Sequence, residues 1–194
     1  MSNRQIYLAL YKGNRDGSGW RVWCARATDW LTRVLNRGHR SGSGLKVWLA
    51  RATDWLTRKI TRGQYSHCEI AMRLPENDET GAALYDCYSA SIRDGGVRWK
   101  RMPLPAEKWD LIDITADPLI FPMFFSVWEF TKGQSYDLSG AFGVVFNFRQ
   151  NPRRWFCSEW CAGVLGLGEP WRFSPNDLAA IYQNSKAELL RRRK

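Results

Sequence analysis

Histidine is scarce in this chain: only His39 and His67 occur among 194 residues. The five cysteines, Cys24, Cys68, Cys87, Cys157 and Cys161, include no C-x-x-C pair. A zinc centre is disfavoured on those grounds, because neighbouring side chains on a strand point to opposite faces and His67 and Cys68 cannot close on one ion. No metal and no cofactor is therefore assigned. The odd cysteine count also lacks the spacing of a small secreted disulfide framework. Met1 is followed by polar residues rather than a charged stub and an apolar core, so no signal peptide is expected and the chain reads as a reduced protein made in the cytoplasm. Long apolar runs are missing too. The most apolar stretch, Pro118 to Phe130, is broken by Pro122 and Glu129 and is too short to span a bilayer, so no transmembrane helix is expected.

Acidic residues are in deficit, 19 against 29 Lys and Arg, for a net charge of +10. The excess basic residues cluster in residues 21–62, at Arg153 and Arg154, and in Arg191, Arg192, Arg193 and Lys194. Such a surface favours anionic partners: lipid headgroups, acidic cell-wall polymers or nucleic acid. Nucleic acid is the least favoured, since no binding module accompanies the basic residues.

What the chain does have is a 44% apolar composition and eleven tryptophans, enough for one folded domain over 1–194. Ile6 to Tyr11 reads as a buried first strand closed by Gly13. Next comes an imperfect tandem repeat at an offset of 25, residues 20–38 (WRVWCARATDWLTRVLNRG) and 45–63 (LKVWLARATDWLTRKITRG). Each copy spaces apolar residues as an amphipathic helix: Trp23, Ala27, Trp30, Leu31 and Val34, then Trp48, Ala52, Trp55, Leu56 and Ile60. Two units are too few for a solenoid, so the repeat reads as a segmental duplication inserted after the first strand, and the pattern does not single out the copy that docks.

From His67 the period changes to that of strands: from Cys68, over Ala82–Ser91, Val97–Met102 and Trp109–Ile114, with turns at 75–81 and at Arg93-Asp94-Gly95-Gly96. An antiparallel meander is expected. Helices are expected over 118–132, closed by Gly133, over 157–165, and over 175–193, the last beginning at Ser174 or Asn176. Helices, strands and helices in that order give an α+β layout.

Cys157 opens a helix, where unpaired backbone amides and the positive dipole end lower a thiol's pKa. The amides of Cys157 and Ser158 suit an oxyanion, and Cys161, one turn deeper among apolar neighbours, reads as core. Cys157 and His67 thus form a candidate nucleophile and base. Four ordered segments surround them: Tyr65-Ser66-His67-Cys68-Glu69-Ile70, Leu84-Tyr85-Asp86, Gly133-Gln134-Ser135-Tyr136-Asp137 and Phe156-Cys157-Ser158-Glu159. Together they resemble the circularly permuted NlpC/P60 superfamily of papain-like cysteine hydrolases, in particular its YiiX-like branch, over about residues 1 to 170 apart from the repeat. The whole chain also resembles small proteins of tailed bacteriophages and prophages, including Arg93 to Val97 and Pro170 to Asn176.

The resemblance implies an antiparallel sheet packed on the helix that carries Cys157, with His67 as general base and a third residue orienting the imidazole. It points to Asp86 for the third role, with Glu69, Ser89 and Ser91 as alternatives. Asp137 reads as a loop cap and Glu159 as a first-turn acid that complements the helix dipole. The implied activity is a thiol hydrolase acting on an amide or ester carbonyl through an acyl-enzyme, as a cysteine peptidase, amidase or acyltransferase, with a cell-wall (peptidoglycan) peptide as first substrate. The alternative is a non-enzymatic phage structural protein that uses the duplicated Trp and Arg helices to bind an anionic membrane surface.

Overall fold

The computed structural model describes residues 5–13, 58, 63–138, 140–141 and 153–192. Most of both repeat copies, including Cys24 and His39, lies outside the described residues. Seven strands form one curled mixed sheet: β1 (Ile6–Tyr11), β2 (His67–Asn77), β3 (Ala83–Ser91), β4 (Gly96–Pro103), β5 (Trp109–Asp113), β6 (Ser135–Tyr136) and β7 (Arg154–Trp155). Among the described residues three helices accompany the sheet: α1 (Ile120–Thr131) between β5 and β6, α2 (Cys157–Val164) directly after β7, and α3 (Pro175–Arg192), with a 3-10 turn at Pro170–Arg172. The class is α+β, as the sequence indicates.

The strand order is β5-β1-β2-β3-β4-β6-β7. β2, β3 and β4 form the expected meander, while β5 returns to pair with the outer edge of β1. Two features depart from a simple meander. β2 runs on through Pro75 to Asn77, and its register with β3 shifts between Arg73 and Asn77, so an irregularity takes up the proline where the sequence suggests a turn. The two-residue β6 and β7 pair in parallel, too short to carry a periodic signal.

β1 carries buried residues on both faces of the sheet, which is why it is apolar nearly throughout. Ile6, Leu8 and Leu10 of β1 and Cys68, Ile70 and Met72 of β2 meet Phe124 of α1, Trp160 and Cys161 of α2 and Leu178 of α3. The alternate residues, Ala9, Ala71, Tyr85 and Cys87, pack with Leu104 on the opposite side. Trp160 is fully buried, meets Phe124 edge-on, and donates its indole N–H to Thr131 Oγ1 at 2.8 Å, tying α2 to the end of α1. Tyr88 reaches from β3 to the same helix, edge-on to both Phe124 and Trp128. β4 approaches β6 at Gly96, where a Cβ would lie 1.9 Å from the Gln134 carbonyl oxygen, so only glycine permits that pairing. No helix among the described residues is long and apolar enough to cross a membrane.

Trp160→Ala removes the largest fully buried side chain at the α1–α2 contact. It is expected to cost about 3 to 5 kcal/mol of unfolding free energy, measured by urea titration with an unchanged m-value.

Candidate active site

His67 begins β2 and Glu69 follows two residues later, so strand alternation puts both side chains on one face. The His67 Nε2 atom lies 3.0 Å from Glu69 Oε1. Glu69 is only 1% exposed, and a carboxylate so deeply buried needs compensation. Arg98 of β4 supplies it in a two-pronged ion pair, Nη2 to Oε1 at 2.8 Å and Nη1 to Oε2 at 3.1 Å. Two strand spacings, about 9 to 10 Å, separate β2 from β4. The row between them is Glu69, Ser89 and Arg98, with Ser89 on β3 opposite Arg98. Ser89 turns its hydroxyl to the Cys68 carbonyl at 2.7 Å, and its small side chain leaves the guanidinium a path over β3. Asp94 holds the other edge of the guanidinium, accepting from Arg98 Nε at 2.9 Å.

Electrostatics follow from that chain of contacts. Burial pushes the Glu69 carboxyl up, but hydrogen bonds and charge from His67 and Arg98 outweigh it and hold the group at about 2. Burial likewise opposes charge on His67, yet the charge and hydrogen bonding of Cys157 and Glu69 together raise the imidazole to about 10. Arg98 is held still more firmly in its charged form: desolvation opposes the charge and the Glu69 and Asp94 carboxylates overcome it.

Cys157 is the first residue of α2, after Phe156 in extended conformation (φ −110°, ψ 166°). Its N–H and that of Ser158 precede the first helical hydrogen bond, Trp160 N–H to the Phe156 carbonyl. The thiol is held well below its ordinary pKa. A hydrogen bond from the Cys68 side chain is the largest cause; it is joined, against burial, by the charge and hydrogen bonding of His67 and by the Cys68 amide. Cys157 is 7% exposed and the His67 side chain 20%, so the pair lies at the edge of the core. The arrangement can supply a thiolate, an imidazolium beside it, a buried acid behind the imidazolium, and amide donors at a helix start.

Asp86 is not part of this cluster, which corrects the expectation for the third residue. Asp86 pairs across strands with Met72, five residues beyond His67 and so about 17 Å along β2. Met72 belongs to the helix-side core, and cross-strand partners share a face, so Asp86 lies on the opposite side of the sheet from Glu69. Its carboxylate is held instead by Arg101, at 2.9 and 3.2 Å. The carboxylate within hydrogen-bond reach of His67 is that of Glu69, one of the alternatives open in the sequence. Ser89 faces a backbone carbonyl, and Ser91 accepts the Asp94 N–H at 3.4 Å. Asp137 caps its own loop, its Oδ1 accepting the Gly140 N–H at 2.9 Å, and buried Glu159 accepts the Phe156 N–H at 3.4 Å at the helix start. Cys161 is fully buried in the core. Among the described residues no cluster of three or more His, Cys, Asp or Glu is arranged to hold a metal ion.

Arg98 escaped the sequence reading. Its only trace there is strand parity, which becomes useful once the register across the Arg93–Gly96 turn is known. The same holds for Asn176 of α3, which grips the backbone leading into β2. Its Oδ1 accepts the Tyr65 N–H at 3.0 Å and its Nδ2 donates to the Tyr65 carbonyl at 2.8 Å. A Cβ on Gly63 would lie 2.1 Å from the same carboxamide, so the glycine permits the grip. Arg58 donates to the Lys12 carbonyl and to Ser66 Oγ, both at 3.3 Å, bracing the residue just before His67.

Comparison with protein-family models, curated proteins and solved structures returns no match.

Because the Glu69 carboxyl is depressed, its ion pairs stabilise the fold fully above the ordinary carboxyl value of 4.5, and that contribution is lost as pH falls through about 2. The unfolding free-energy difference between wild type and Glu69→Gln is expected to narrow over that window; a gap independent of pH would contradict the assignment. Arg98→Ala leaves the Glu69 charge buried with less compensation and is expected to cost about 3 to 5 kcal/mol at neutral pH, read by the same titration.

Proposed function

We propose that the chain is a cysteine hydrolase of the permuted papain-like NlpC/P60 type, cleaving an amide or ester bond through a thioester intermediate. The observation that carries this reading is the Cys157, His67 and Glu69 alignment, with the thiol at the first position of a helix. Neither a packing cysteine nor a structural histidine calls for a buried acid held by a second buried charge. The ordered sequence motifs around these residues add independent support.

In this mechanism the Cys157 thiolate attacks the carbonyl carbon, and the negative charge that develops on oxygen is met by the amides of the first turn of α2. His67, protonated in the resting pair, delivers its proton to the departing amine or alcohol. The imidazole, now neutral, takes a proton from water as that water attacks the thioester, and Cys157 leaves as thiolate. Glu69 fixes the orientation of the ring and stabilises its charged form, while Arg98 keeps Glu69 ionised. A peptide amide of the bacterial cell wall is the first substrate to test. An acyltransferase differs only in the acceptor that replaces water.

The test begins with an iodoacetamide probe at about pH 6, more than two units below the ordinary thiol value of about 8.5. Cys157 is expected to take the label ahead of the other cysteines, and His67→Ala to slow it by about tenfold or more, equivalent to at least one unit of thiol pKa. Uniform slow labelling of all five cysteines would sink the reading. With peptidoglycan fragments as substrate, Cys157→Ala is expected to abolish turnover and His67→Ala to lower it about 10²- to 10⁴-fold, followed by release of free amines.

A further inference from the structure

One neighbour of Cys157 takes part in hydrolysis only by helping to lower the thiol's pKa. Cys68 follows His67 on β2, and strand alternation turns its side chain toward the helices, away from the face that carries His67 and Glu69. There it meets α2. Cys68, Cys157 and Cys161 belong to the same helix-side cluster of the core, close enough for the thiols to shift one another's titration. All three thiols are free and lie in one buried cluster. Cys68 and Cys161 have no exposed surface, whereas Cys157 keeps 7%, so a reagent from solvent reaches Cys157 first and Cys68 only by way of it.

We propose that Cys68 is a resolving cysteine, which traps an oxidised Cys157 as a reversible Cys68–Cys157 disulfide when the protein meets a hydroperoxide. The inference rests on the reading of Cys157 as a reactive thiolate. In the first step that thiolate attacks the terminal oxygen of the hydroperoxide. The O–O bond breaks, Cys157 becomes a sulfenic acid, and the departing alkoxide or hydroxide takes a proton from the His67 imidazolium. In the second step the Cys68 sulfur attacks the Cys157 sulfur and the S–O bond breaks. The departing hydroxide leaves as water with the Cys68 proton. The two thiols have then supplied the two electrons that reduced the peroxide, and an external dithiol returns both to the reduced state.

Geometry favours Cys68 over Cys161 as the partner. Cys161 is one helical turn deeper on the same helix, whereas Cys68 faces Cys157 from β2, the strand on which α2 packs. Burial keeps the Cys68 thiol protonated and its pKa well above the ordinary value, so it is inert toward solvent reagents until an electrophilic sulfur forms beside it. A nucleophile without such a neighbour proceeds to sulfinic acid, which ordinary thiols do not reverse.

The experiment treats the full-length protein with hydrogen peroxide, then with or without dithiothreitol, and reads iodoacetamide labelling and intact mass. Wild type is expected to lose Cys157 labelling, to lose two hydrogens in mass with a cross-linked Cys68–Cys157 peptide, and to recover fully with dithiothreitol. Cys68→Ser is expected to lose labelling without recovery and to gain oxygen; Cys68→Ala repeats the test should the serine disturb the core. Cys161→Ser is expected to behave as wild type. Recovery in both Cys68 variants equal to wild type, or a disulfide that maps to Cys161, would overturn the proposal. Selective labelling of reduced Cys157 without any peroxide-induced disulfide overturns this inference alone. Absence of selective labelling in the reduced protein overturns the hydrolase reading and this inference with it.

Discussion

A carboxylate with almost no access to solvent has to be held as an ion from more than one side, and the ion pair between Glu69 and Arg98 does this across three strands. Much of the site depends on it. Without the guanidinium, desolvation would favour a neutral carboxyl on Glu69, and the imidazole beside it would lose one of the two charges that keep it protonated. Removing the carboxylate instead would leave a buried arginine short of its main partner. The meander of β2, β3 and β4 is therefore more than a scaffold: its register decides whether these side chains meet. Ser89 is part of the same constraint, because a bulky residue in the middle strand would close the path that the guanidinium takes.

Strand parity divides the work around His67. Odd-numbered positions of β2 carry the imidazole and the acid toward one face; even-numbered positions send Cys68, Ile70 and Met72 into the helix-packed core. The Cys157 thiol comes from that second side, on the first turn of α2, and meets the imidazole at the end of β2. The imidazole is thus tied to the sheet and the thiol to the helix layer. Their meeting depends on packing between the two, anchored by Trp160 beneath α2 and by the Asn176 grip on Tyr65.

Much of this was legible in the sequence where a local rule was enough. Ile6–Tyr11 forms the expected strand, the helix over Ile120–Thr131 ends just before Gly133 at φ 78°, and Ser174 opens α3 by exchanging hydrogen bonds with Asp177. His67 and Cys157 come together as their contexts suggest. What failed was whatever depended on pairing between strands. Asp86 lies at a plausible place in the order of motifs, but only the Met72–Asp86 register reveals that it is far from His67 and on the other face. Arg98 was hidden for the same reason, since nothing near it in sequence announces a partner 29 residues away. β6 and β7, at two residues each, offer no period to read at all.

The direct pairing of Tyr11 with His67 has a consequence for the history of this chain. The segment between them leaves the sheet and returns to it at adjacent positions on neighbouring strands, so its two ends are fixed whatever its length. For a flexible connection, doubling the length raises the closure cost by only about 0.6 kcal/mol. A duplication there is nearly invisible to the sheet, whose register is set by the residues on either side. The place where β1 gives way to β2 is thus a permissive port, at which sequence can be added or lost beside His67 without shifting it by a single residue.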